Sequence, residues 1–202
     1  MSHYVTNTVT TPRQRRAPGF SLVELLMVLT VGGILLAIAA PSFKSFMQNS
    51  RLVTQANTLV YALNLARSEA IKLDTTVEVC ASTDGATCNG AGPNPWDSGW
   101  IVCYPVANCA VGGGPPAGTV LATSPPLGGG NTVSEQISGA LAVPYLSNGQ
   151  TNNGVGGVTY RFVFCDNRGA ASGQDVEINY TGRIQAASTQ GQLVSGGALA
   201  GC

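Results

Sequence analysis

The sequence predicts an α+β protein in which one long N-terminal helix packs on a C-terminal antiparallel β-sheet domain held by disulfides. Three observations carry that prediction. A 21-residue apolar run, Phe20–Ala40, contains a single charge, Glu24. An apolar stripe of helical period follows it. From residue 75 the chain changes to short alternating runs separated by Gly, Pro and Asn, and all six cysteines lie there.

Residues 1–19 are polar. They hold the chain's only histidine, His3, and the basic cluster Arg13, Arg15 and Arg16, and they end in Ala17-Pro18-Gly19. The apolar run then has the ~20 residues needed to cross a ~30 Å hydrocarbon core. Basic residues lie upstream of it and none lies within it, which predicts a cytoplasmic start and an exported remainder. A cleaved secretory signal has roughly 7–15 apolar residues before a small-x-small site. Ala37-Ile38-Ala39 has that form, but the run is longer. Glu24 also points away from a discarded peptide. A carboxylate in hydrocarbon costs ~2.5–3.5 kcal/mol even on a lenient insertion scale, so an acid kept there needs a partner. No basic side chain exists between Phe20 and Ala40. A cut after Gly19 would release an α-amine at residue 20, one helical turn before Glu24. In a helical packing of subunits that amine could neutralise a neighbour's carboxylate.

The helix is expected to continue past Pro41. Leu52, Ala56, Leu59, Leu63, Ala66, Ala70 and Leu73 recur at alternating steps of four and three, an apolar stripe. Asn57, Asn64, Arg67, Glu69 and Lys72 stand opposite. One helix from Phe20 to about Leu73 would be about 80 Å long at about 1.5 Å per residue. Its first half (20–41) is apolar all round. Its second half (42–74) is one-sided.

After Asp74 the pattern is strand and turn. Thr75–Cys80 alternates, Ala81–Asp97 is turn-rich, and Trp100–Tyr104 reads as a second strand. Pro105–Gly118 is a Gly/Pro loop. Thr119–Thr123, Asn131–Ser138 and Ala140–Leu146 read as further strands. Asn148–Gly157 is a polar hairpin loop. Thr159–Cys165 places Tyr160, Phe162 and Phe164 on one face. Val176–Tyr180 and Arg183–Ala187 form a closing hairpin around Thr181-Gly182. The polar segment Ser188–Gly201 is expected to be loosely held except at its end. The cysteines are Cys80, Cys88, Cys103, Cys109, Cys165 and Cys202. An even number on the oxidising side favours full pairing, with the connectivity open. Short separations favour Cys80–Cys88 and Cys103–Cys109, which leaves Cys165–Cys202 to tie down the end of the chain. Such a bridge stabilises by ~2–4 kcal/mol. Zinc is the competing use of cysteine, but no Cys-x-x-Cys is present and the histidine is in the first segment.

Arg15-Arg16-Ala17-Pro18-Gly19 followed by Phe20-Ser21-Leu22-Val23-Glu24-Leu25 resembles the prepilin signal of type IV pilins and type II secretion pseudopilins. That resemblance makes 1–19 a leader. It implies cleavage by a prepilin peptidase between Gly19 and Phe20, N-methylation of Phe20, and an assembly role for Glu24. Pro41 stands where pilins place a helix-kinking proline. A second resemblance, to the GspH/FimT group of minor pilins and pseudopilins, rests on the Cys80–Cys88 loop and on Trp96-Asp97-Ser98-Gly99-Trp100. Phe164-Cys165-Asp166-Asn167-Arg168-Gly169 and Thr181-Gly182-Arg183-Ile184 continue it, so the likeness spans roughly residues 13–185. It implies an exported β-rich domain over 75–202.

The remaining chemistry points away from an enzyme. Loss of 1–19 removes the histidine and three arginines, leaving seven basic against ten acidic residues. No nucleophile elbow or phosphate loop occurs, since Gly154-Val155-Gly156-Gly157 lacks a following helix. No cofactor or metal is expected, and Asp166, Asp175 and Glu177, the acids placed to meet a cation, read as turn acids. One branch of the resembled group takes up DNA and carries Gly-Arg-x-Arg. Here Gln185 replaces the second Arg, and Arg161, Arg168 and Arg183 are the only cations after Lys72. Phosphate binding draws on several cations acting together, so Arg183 is a weak DNA contact.

The expectation is therefore a minor type IV pilin of the tip or priming complex. Its partners would be other pilins or pseudopilins, the prepilin peptidase and the inner membrane. It would span that membrane once before assembly, with its start in the cytoplasm, and lie in a periplasmic or cell-surface filament afterwards. The alternatives are a pseudopilin at the tip of a type II secretion piston and a DNA-binding minor pilin for natural transformation. The cysteine-rich domain favours the pilus, because surface filaments gain from cross-links.

Overall fold

The computed structural model describes residues 19–104, 120–151 and 158–202. Residues 1–18 of the leader, the loop after β2 and part of the hairpin loop before β6 therefore lie outside the described residues, as does Cys109. The chain divides into two units between Lys44 and Ser45.

Helix α1 spans Leu22–Leu73, 52 residues, and runs through Pro41. Among the described residues before Lys44 all are exposed except Gly32, which is half-buried. From Ser45 the helix is one-sided. Leu52, Ala56, Leu59, Leu63, Ala66 and Ala70 are buried, and alanine at three of these positions lets the β layers approach closely. Leu73 departs from the stripe and is exposed rather than buried. The helix ends just there, because Asp74 turns left-handed at φ 49° and the Thr75 amide closes on the Ala70 carbonyl at 3.2 Å, a Schellman-type stop.

Eight strands follow: β1 Val77–Ala81, β2 Trp100–Cys103, β3 Val120–Ser124, β4 Thr132–Glu135, β5 Ala142–Tyr145, β6 Val158–Cys165, β7 Gln174–Asn179 and β8 Ile184–Ala186. They form two four-stranded sheets, β3-β2-β1-β5 and β4-β6-β7-β8, with every strand pair antiparallel. The sequence signals a β-rich domain but not this division. Alternation tells which face of a strand is buried, not which neighbour it pairs with.

One core joins the stripe of α1 to the inner faces of both sheets. Val77 and Val79 of β1, Trp100 and Val102 of β2, Phe162 and Phe164 of β6, and Val176 and Ile178 of β7 supply it. Trp96, on the short 3-10 turn Pro95–Ser98, packs edge-on against Phe162 with ring centroids 4.8 Å apart and donates Nε1–H to the Ala140 carbonyl at 2.9 Å. Gly99 then turns the chain into β2 with φ 102°, where a Cβ would collide with the Ser124 carbonyl. β4 is shorter than its β-rich run because Glu135 stops it. The Glu135 carboxylate accepts the amides of Ile137, Ser138 and Ala140.

The outer face of each sheet is covered as well. Cys80 bonds Cys88, folding residues 82–90 over Ile101 and Cys103. Cys165 bonds Cys202, and Leu199 packs on Val163 and Cys165. Segment 188–201 is thus held along its length, contrary to the loose tail its polarity suggests. It makes a Gln192–Ala198 bridge, and the Leu199 amide reaches the Gly191 carbonyl at 2.8 Å. Ser195 donates to Glu177 and the Val194 amide to Asp175, both on β7, and composition alone does not reveal those partners.

The core stripe of α1 makes a direct prediction. Leu59→Ala leaves a cavity and lowers the stability of the full chain by ~2–5 kcal/mol, read as a shifted denaturant midpoint. Tyr61→Ala, at an exposed position two residues on, stays within ~0.5 kcal/mol.

Candidate assembly site

Gly19 and Phe20, where the sequence places a processing junction, sit together with Glu24 at the start of α1. Gly19 and Phe20 precede the helix and are exposed. Ser21 is the cap: its Oγ accepts the Glu24 amide at 3.2 Å, and its carbonyl accepts the Leu25 amide at 3.1 Å. Ser21-x-x-Glu24 is the sequence form of a capping box. That signal was legible but hidden inside the prepilin motif. The helix is therefore wound from the second residue after Phe20, and Glu24 lies in its first turn, where the helix dipole favours an anion. Glu24, Met27, Val28, Val31, Gly32 and Leu35 share one face and line an open notch of about 420 Å³. Gly32 deepens it by lacking a side chain. The site is a carboxylate at the head of an apolar groove. Chemically it can hold a cation at one end and apolar side chains along the rest.

The motif residues of the β domain are structural anchors. In the Cys80–Cys88 loop, Asp84 accepts the Ala86 and Thr87 amides at 2.9 and 2.8 Å and the Thr87 hydroxyl at 2.7 Å. Those bonds hold its carboxyl well below the usual range. Arg168 clamps Asp166 through Nη2 at 2.6 Å and reaches Asn49 of α1 through Nη1, also at 2.6 Å. Burial pushes the Asp166 carboxyl up, but the bonds and charge of Arg168 outweigh it and the net shift is downward. Arg67 of α1 donates to the carbonyls of Gly149 and Thr181 at 3.1 Å each. Gly182, at φ 76°, lies against the Gly149 carbonyl so closely that a Cβ has no room. Sequence reasoning missed the links through Arg67 and Asn49, since they join positions more than 80 residues apart.

The groups considered for metal or phosphate are engaged elsewhere. The sulfurs of Cys80, Cys88 and Cys103 lie within 4.8 Å of one another, but all three are in disulfides and none offers a thiolate. The partner expected for Cys103, Cys109, lies outside the described residues. Glu177 is bonded by Arg161 at 2.7 Å, and Asp175 accepts the Val194 amide at 2.9 Å. Of the three arginines considered for DNA, Arg161 and Arg168 are thus committed to carboxylates. Arg183 is exposed at the β7–β8 turn, with its backbone amide on Asn179 Oδ1 at 3.0 Å.

A wound apolar helix with one acid in its first turn, continuing into a disulfide-bonded β domain, defines a pilin-like subunit. The family comparisons agree. The model of the type II transport protein GspH family matches residues 55–182, and that of the prokaryotic N-terminal methylation motif matches residues 14–40. The chain belongs to the GspH family, within the class of minor pilins and pseudopilins. A crystal structure of the type IV minor pilin FimU from Pseudomonas aeruginosa strain PAO1 is similar at 21% identity and a TM-score of 0.52, covering 71% of this chain and 98% of that one. A second crystal form of FimU gives 22% identity and a TM-score of 0.49, covering 67% and 92%. No curated protein sequence matches significantly.

Two arginines separate the anchoring role from a free surface charge. Arg168→Ala strips Asp166 and Asn49 of a charged donor and is expected to destabilise by ~1–3 kcal/mol. Arg183→Ala is expected to stay within ~0.5 kcal/mol. Thermal midpoints of the two variants check this.

Proposed function

We propose that the chain is a minor type IV pilin of the filament's tip or priming complex. The observation that carries the reading is Glu24, the only charged residue between Phe20 and Phe43, at the head of an apolar groove. An isolated acid among apolar residues needs a cation. A prepilin peptidase cutting after Gly19 makes one, the α-amine of Phe20, and methylates it. In an assembled bundle the amine of one subunit meets Glu24 of its neighbour, and the groove residues pack against the neighbour's helix. Before assembly the 20–41 segment spans the inner membrane once, with the start of the chain in the cytoplasm and the β domain outside. The match to the methylation motif supports this order of events. In this reading the chain is an assembly component with no catalytic step of its own.

The family's description as a type II transport protein favours one second reading, a pseudopilin at the tip of a secretion piston. It uses the same junction and the same acid. Disrupting the gene separates the two. Loss of twitching with normal exoprotein release supports the pilus, and the reverse supports the piston.

Glu24→Ala is expected to leave cleavage after Gly19 intact and to reduce incorporation at least tenfold, scored by immunoblot of sheared filaments against the membrane pool. The charge-to-partner penalty of a few kcal/mol sets that scale. Unchanged incorporation of the variant would refute the assembly role.

A further inference from the structure

The outer face of β7 carries two acids, Asp175 and Glu177, both buried. Register places Val163 of β6 opposite Asp175 and Arg161 opposite Glu177, with Gln185 of β8 beside Glu177. Residues 188–202 cover them, and no ionisable side chain occurs between Ser188 and Gly201. Two carboxylates therefore share one guanidinium. Arg161 gives its short bonds to Glu177 Oε1, from Nε at 3.0 Å and Nη2 at 2.7 Å. Its Nε stays 4.0 Å from Asp175 Oδ1. Ser195 of the covering segment also donates to Glu177 Oε1, at 3.0 Å. Asp175 Oδ2 accepts the Val194 amide of that segment, but Oδ1 is buried without a hydrogen-bond partner among the described residues.

We propose that Asp175 is the proton-binding group of a latch, so that taking up a proton on its carboxylate tightens segment 188–202 over the outer face of β6, β7 and β8. Ionised, the cluster leaves one uncompensated negative charge and one bare oxygen in a covered space, which is costly. Protonated, the cluster is neutral and Asp175 gains a donor that Glu177 can accept. The proton comes from water, and no covalent bond other than that O–H changes. Burial is the main cause that pushes the Asp175 carboxyl up, to about 6, and the Glu177 charge adds to it, while the Val194 amide and Arg161 pull the other way.

The sign follows from linkage. When the segment lifts, Asp175 meets water and its carboxyl returns toward the ordinary 3.8. Closing therefore takes up a proton between the two values, and closure strengthens as pH falls through about 6. The Cys165–Cys202 bridge pins the far end, so what opens is a loop between β8 and the disulfide.

Amide hydrogen exchange of the full chain in detergent micelles tests this, with rates corrected for their intrinsic pH dependence. Between about pH 7.5 and about pH 5, protection of the bonded amides of Val194 and Leu199 is expected to rise about tenfold, while Val79 and Val102 in the other sheet do not move with it. Asp175→Asn, nearly the same shape, is expected to keep the protection and lose its pH dependence. Glu177→Gln removes the surplus negative charge and is expected to shrink the dependence, which keeps the test decisive should Asp175→Asn fold poorly. Equal or lower protection at about pH 5 in the parent chain, or an undiminished pH response in the folded Asp175→Asn or Glu177→Gln chain, overturns the latch.

Discussion

Glu24 stands alone among apolar side chains in the first half of α1, and an ionised carboxylate in hydrocarbon lowers its energy only with a cation or a proton. The surrounding features read as answers to that constraint. Ser21 caps the helix and fixes Glu24 in the first turn. Gly19 and Phe20 lie exposed just ahead of it, where the proposed peptidase cut would place a new amine close to the acid. Gly32 hollows the face that Glu24 heads. Each feature would be an oddity in an ordinary anchor. Together they describe a surface that is incomplete in a single copy, and the proposed pilin role supplies the missing half.

The β domain follows a different logic. Its charged residues are few, and most of them near the core are spent on holding segments together. Arg67, Arg168 and Arg161 bind, in turn, the turn carbonyls, Asp166 with Asn49, and Glu177. Two sheets and a helix stripe enclose one core, and disulfide-bonded segments seal both outer faces. A domain of short strands with long Gly/Pro connections gains from such covalent closure, because each bridge limits the freedom of the unfolded chain. Asp175 lacks full compensation, and its unbonded oxygen is what makes segment 188–202 sensitive to protons.

Much of this was legible in the sequence, for reasons that can be stated. Glu24 stands out as the one charge inside a 21-residue apolar run, and its place in the first helical turn follows from Ser21-x-x-Glu24. The stripe from Leu52 to Ala70 follows from helical period, and it fails only at Leu73, where Asp74 has begun to end the helix. The aromatic face of β6 follows from alternation. The division into two sheets was not legible, since β4 pairs with β6 and β5 with β1 across intervening strands, and pairing choice leaves no local mark. Nor was the order in segment 188–201. Its Ser, Gly and Gln read as loop, and its partners Asp175 and Glu177 read as turn acids rather than as strand residues beneath a covering segment. Polar residues that bury one another look, in sequence, like polar residues that face water.

The processing junction tests the central claim most directly. N-terminal sequencing and intact mass of the chain extracted from membranes report where it begins and what it carries. The account requires a start at Phe20 bearing one methyl group on its amine, the cation that Glu24 needs. A chain that begins elsewhere, whether after Ala39 or with residues 1–19 still attached, would leave the carboxylate without its partner and contradict the filament reading.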